Sequence, residues 1–211
     1  LYQLAQSGAS GGLVDLLILR DETGAYNGYS GDVSSIIAAL GFIGGALAVW
    51  STAKLLITKN KEDMHLSHLK KEGKAKYALL VAATIGAVIG FNLLFELLGV
   101  SNKSEAYTEV VSQQYSAHFI VGILVFGFIS PIAEELLFRG VIYGYLRRFM
   151  DLKLAIALSA LIFGVYHMNY VQGIYGFLIG CLMAYAYEYF GEFKMAVLVH
   201  CLLYTSPSPR D

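Results

Sequence analysis

The stretch HFIVGILVFGFISPIAEELLFRGVIYGY, from His118 to Tyr145, decides the fold. It is apolar over more than the roughly 20 residues a helix needs to cross about 30 Å of hydrocarbon. Yet Glu134, Glu135 and Arg139 sit inside it. An ionisable side chain at mid-bilayer costs about 2.5–3.5 kcal/mol even on insertion-based scales, so such a group needs a partner or a purpose. Glu135 and Arg139 stand four apart, one turn along the same helix face, in the favourable acid-before-base order. Glu134 is rotated about 100° from its neighbour and is left free to face a cavity, which Pro131 widens by removing a backbone donor.

Further apolar runs cover residues 33–57, 77–100, 154–167 and 171–189, and another starts at Met195. The fold expected is all-α, a polytopic transmembrane helix bundle of about six spans. Composition agrees: of 211 residues 56% are hydrophobic and 15% charged, against about 25% charged in soluble domains. A net charge of −1 without a long basic block excludes a nucleic-acid binder. Lys59, Lys61, Lys70, Lys71, Lys74 and Lys76 crowd one connection, Arg147, Arg148 and Lys153 another, and Lys194 a third. The alternate segments offer only Arg20 and Lys103, so the positive-inside rule places the lysine-rich connections in the cytoplasm.

The chain divides into an extracytoplasmic loop or cap (1–32), two spans with a basic cytoplasmic loop (33–117), a core (118–200) and a tail (201–211). The tail reads as a non-native peptide translated from a sequencing adapter. Glycines four apart, Gly41/Gly45, Gly86/Gly90, Gly140/Gly144 and Gly176/Gly180, are expected to bring helices into close contact. Cys181 reads as a small buried hydrophobe. Glu188 is expected to cap or pair at the cytoplasmic edge, while Asn169 and Gln172 either line a pocket or cap the external turn. His65 and His68 belong to a solvated segment, and Glu96 is left without a role.

His167, in Phe163-Gly164-Val165-Tyr166-His167, is the imidazole expected to meet Glu134. Counting 1.5 Å per residue, Glu134 lies about 20 Å from Arg147 and His167 about 21 Å from Lys153, so their depths match. His200 is only about 14 Å deep on the same count. A carboxylate beside imidazoles in a secluded wet pocket suits hydrolysis in two ways. Either Glu134 takes a proton from water while the histidines polarise a carbonyl, or Glu and His hold a divalent metal that activates the water. His-Glu-x-x-His, the soluble zinc-protease spacing, is absent.

Together these residues resemble the CAAX prenyl endopeptidase and bacteriocin-processing family of intramembrane proteases, the CPBP or ABI proteins that include lysostaphin-resistance proteins. The Glu-Glu-x-x-x-Arg motif stands as Glu134, Glu135 and Arg139, and Phe-x-x-x-His as Phe163 and His167. The third motif begins at His200, with Tyr204 in the place of its asparagine. The resemblance implies an endopeptidase acting on a membrane-associated peptide or protein. It makes Glu134, His167 and His200 catalytic, and Glu135, Arg139 and Phe163 structural. The same Glu134, His167 and His200 would ligate Zn²⁺ or another divalent metal if one is used. The expected setting is the lipid bilayer of a bacterial cytoplasmic membrane. A non-catalytic immunity or scaffold protein binding a peptide or helix in the same cavity is the alternative. A proton-coupled carrier is disfavoured because no repeat-related interrupted helices are visible.

Overall fold

Long apolar runs interrupted by short polar connections leave the backbone one way to satisfy its hydrogen bonds in lipid, and the chain takes it. The computed structural model describes residues 2–16, 31–63, 73–100 and 104–204. Arg20, His65, His68, Lys70, Lys71, Lys103 and the tail from residue 205 onward lie outside them. The described residues form helices and their connections, with no strand. In chain order these are α1 (Tyr2–Leu16), α2 (Gly31–Asp63), α3 (Lys74–Leu97), α4 (Glu105–Tyr115), α5 (Phe119–Phe149), α6 (Leu152–Tyr166), α7 (Tyr170–Phe190) and α8 (Phe193–Leu203).

The apolar segments α2, α3, α5 and α7 are long enough to cross a membrane, and the chain is an integral membrane protein. The other two segments expected as spans fall short. At 15 and 11 residues, α6 and α8 reach only about 22 and 17 Å. At the end of α6 the His167 ring meets the Phe163 carbonyl oxygen and the Asn169 amide donates to the His167 carbonyl, so side chains satisfy these last carbonyls. Cys201–Leu203 belong to α8.

Local chemistry fixes the turns. Asp151 accepts the Leu154 N–H (3.0 Å) to start α6, and Asn169 accepts the Gln172 N–H (2.8 Å) to start α7. Asn169 is therefore a cap. Gly191, at φ 65°, ends α7 in the left-handed conformation that glycine adopts without penalty. Within residues 1–32, α1 lies along α2 over Gly41, Gly44 and Gly45. A Cβ on Gly45 would stand 2.7 Å from the Tyr2 ring.

The glycine pairs behave unequally. Gly140 and Gly144 admit Ala53 and Asn60 of α2, and Gly180 admits Ala160 and Arg139. Gly86 and Gly90 have no atom within 4 Å of a built Cβ, so this pair is not a packing groove. The reason is position: α3 is peripheral, and only 17% of its apolar window is buried. Close approach also falls on a glycine that the spacing does not single out: a Cβ on Gly164 would meet the Gly173 carbonyl oxygen at 2.4 Å.

Candidate active site

The central helix α5 is not uniformly α-helical. Ile123–Ile129 and Leu136–Tyr143 wind with i→i+5 hydrogen bonds, and between them Ser130–Glu135 is ordinary α-helix. Such π segments re-aim side chains and concentrate at functional sites. The second also explains a depth that a straight count overstates: wider turns hold more residues, so Glu134 lies nearer the cytoplasmic end than an α-helical rise gives. Asn60 steadies the segment's end from α2, its side-chain amide donating to the Gly144 carbonyl at 2.8 Å.

Glu134 and Glu135 are buried, at 7% and 0% exposure, and approach one imidazole from two sides. His200 Nδ1 lies 2.8 Å from Glu135 Oε1, and its Nε2 lies 3.8 Å from Glu134 Oε2. With Glu135 ionised, Nδ1–H donates to it and Nε2 is left as an acceptor facing Glu134. The other Glu134 oxygen accepts from the Ser130 hydroxyl at 2.7 Å. Arg139 is wholly buried; its Nη1 donates to the same Glu135 Oε1 at 2.8 Å and its Nη2 to the Gly180 carbonyl at 3.0 Å. One carboxylate oxygen of Glu135 thus serves a guanidinium and an imidazole together.

The imidazole nearest Glu134 is therefore that of His200, not His167. The shallow depth count for His200 misleads because the second π segment draws Glu134 toward the same end. His167 instead caps its own helix, its Nδ1 2.9 Å from the Phe163 carbonyl oxygen, and makes no ion pair with a carboxylate among the described residues. The next residue, Met168, takes φ 58°, a conformation uncommon outside glycine. The two histidines meet through Phe163. Its ring lies 4.8 Å from His167 and 5.6 Å from His200, both edge-on, with the Arg139 guanidinium 4.7 Å from its centroid.

The Glu134, His167 and His200 set does not close into a metal cage: among the described residues no three His, Cys, Asp or Glu side chains converge as metal ligands. Zinc sites of three protein ligands need donor distances of about 2.0–2.2 Å to one point. As arranged, Glu134, His167 and His200 do not meet that requirement.

Several contributors are not legible as site residues in the sequence. Ser130 supports Glu134, and the Gly180 carbonyl holds Arg139. Tyr2 is 4% exposed, packs with Leu136 and Ala53, lies within electrostatic reach of Glu134, and has a buried hydroxyl without a hydrogen-bond partner among the described residues. Gln6, one turn on, accepts from the Tyr166 hydroxyl at 3.1 Å. The only advance signal for Tyr2 and Gln6 is their i,i+4 spacing. At the basic end Glu188 pairs as expected, accepting from Tyr143 at 2.6 Å and from Arg147 at 3.0 and 3.1 Å.

With this geometry in view, comparison with known families matches residues 116–205 to the family described as type II CAAX prenyl endopeptidase Rce1-like. Residues 116–205 thus resemble the Rce1-like family over less than half of the chain. The matched segment contains Glu134, Glu135, Arg139, Phe163, His167 and His200, so the family match and the buried polar cluster coincide. No curated protein and no solved structure was found to match the chain.

Proposed function

We propose that the chain is an intramembrane endopeptidase in which Glu134 is the general base. The observation carrying this reading is the clamp on His200: Glu135 holds one ring nitrogen at 2.8 Å and the other faces Glu134 at 3.8 Å. Glu134 Oε2 accepts a proton from water as that water attacks the scissile carbonyl. Ser130 meanwhile donates to Glu134 Oε1 and fixes the carboxylate plane. His200, oriented by Glu135, moves a proton between Glu134 and the leaving amine. Acid–base assistance of this kind contributes about 10²–10⁴-fold. His167, joined to His200 across Phe163, assists the substrate carbonyl as an imidazolium, its Nδ1–H held by the Phe163 carbonyl and its Nε2–H donated to the substrate oxygen. The substrate is a membrane-associated peptide or protein, reached through the bilayer.

Glu134→Gln keeps the shape and the Ser130 contact but removes the proton acceptor. In the full chain, reconstituted in liposomes, it is expected to lower peptide cleavage at least 10³-fold with unchanged membrane assembly. Cleavage within threefold of the parent would reject the base assignment. Treatment with a zinc chelator is expected to leave cleavage within twofold of the untreated protein. A larger loss restored by added Zn²⁺ would replace the metal-free proton path with a metal-assisted one.

A second reading, a non-catalytic immunity or scaffold protein, draws on Tyr204. In the motif's asparagine position this residue stacks on Phe126 at 6.4 Å rather than presenting a side-chain amide. Peptide retained by both parent and Glu134→Gln, with no cleavage by either, would favour it.

A further inference from the structure

Away from the buried acids, a cavity of about 330 Å³ opens between the end of α2 and the α7–α8 turn. Ile57 and Lys61 line it from α2, and Tyr187, Glu192, Phe193 and Lys194 from the other side. The wall is amphipathic, with Ile57, Tyr187 and Phe193 giving an apolar side and two lysines a cationic one. Lys194 is paired with Glu192 at 2.6 Å, while Lys61 has no ion-pair or hydrogen-bond partner among the described residues. Two lysines against one carboxylate leave a charge of +1.

The position of the cavity narrows what it can hold. Lys61 stands in the last turn of one membrane-length helix, Gly191 ends another, and Lys74 and Lys76 open a third. The cavity therefore opens at the level of the cytoplasmic lipid headgroups, where basic crevices between spans attract anionic lipid. Tyr185 and Tyr189, stacked at 5.8 Å on α7 and partly exposed, supply the interfacial aromatics that flank such a site. Neighbouring Lys76 is already engaged, its ammonium 2.7 Å from the Tyr189 hydroxyl.

We propose that this crevice binds the phosphodiester headgroup of an anionic glycerophospholipid. Lys61 and Lys194 face the phosphate, and Ile57 and Phe193 lie along the glycerol and upper acyl segments. The −1 charge of a phosphodiester matches the +1 of the crevice, and the apolar wall favours a lipid over a free anion. Because Ile57 and Phe193 also pack against the Leu136–Leu137 part of α5, a seated lipid would brace the helix that carries the acids.

The test uses the full chain in detergent with phosphatidylglycerol, phosphatidylcholine or inorganic phosphate as probes, read by native mass spectrometry and by thermal unfolding. Phosphatidylglycerol is expected to be retained and to raise the unfolding midpoint, and phosphatidylcholine to do neither. Lys61→Ala and Lys194→Ala are each expected to cut retention roughly fivefold, in line with the contribution of one lysine near an anionic surface. Lys74→Ala should leave retention unchanged. Both lysines are exposed, so folding is not at stake, and Lys61→Gln repeats the test with the side-chain length nearly kept. Equal retention of the two lipids would overturn the proposal, as would equal losses at Lys74 and Lys61. Displacement of phosphatidylglycerol by millimolar inorganic phosphate would overturn the lipid assignment in favour of a free-anion site.

Discussion

Helices α3 and α5 are both long enough to span a bilayer and similar in hydropathy, yet they do opposite work. In α3 only 17% of the apolar window is buried, and its buried hydroxyl, Thr84, bonds its own helix at the Leu80 carbonyl (2.8 Å). In α5 half of the window is buried, and Ser130, Glu134, Glu135 and Arg139 all find partners within α5 or across to α7 and α8. A hydropathy profile reports only that both can sit in a bilayer. What separates a lipid-facing span from a site-bearing one is whether its polar groups close on themselves or on neighbouring helices.

Substitutions can break that contrast, and the largest effect is expected at Arg139. Replacing it with Leu leaves Glu135 fully buried without its guanidinium, and stranded buried charges of this kind cost about 3–5 kcal/mol. Unfolding in mild detergent, followed by circular dichroism, should show the loss, whereas a change under 1 kcal/mol would mean that His200 alone satisfies Glu135. Next comes Gly164→Ala in α6. Its new methyl would stand 2.4 Å from the Gly173 carbonyl, so α6 and α7 must part, at a cost of about 1–3 kcal/mol. Gly86→Ala in α3 is the matched control and should be neutral or slightly stabilising, since nothing lies within 4 Å there. The smallest effect is expected at Leu79, which is 68% exposed on α3: Leu79→Ala should shift stability by less than about 0.5 kcal/mol. A cost above 1 kcal/mol at Leu79 would show that α3 is covered by protein rather than lipid.

How much could be read in advance depends on the range of the interaction. The all-α architecture follows from apolar run lengths, and the Glu135–Arg139 pair from i,i+4 spacing, both local properties of sequence. The Glu188–Arg147 pair was accessible because both residues fall near the same membrane edge. The meeting of His200 with both acids was not, because it depends on the π segment after Glu135, which a uniform 1.5 Å rise cannot anticipate. Tyr2 and Gln6 were nearly invisible for another reason: their site-side partners Leu136 and Tyr166 lie more than a hundred residues away, reached by packing over Gly41–Gly45 rather than by a chemical motif. Whether the residues could hold a metal depends on how side chains converge, which residue types alone do not specify.

The shared oxygen of Glu135 has a consequence for how this protein can vary. Because Arg139 and His200 both lean on that one atom, neither tolerates exchange while the acid stays as it is. Effects of substitutions at the three positions should combine far from additively. Drift would have to move such a trio in concert, so lineages that lose one member are expected to have shed the others too.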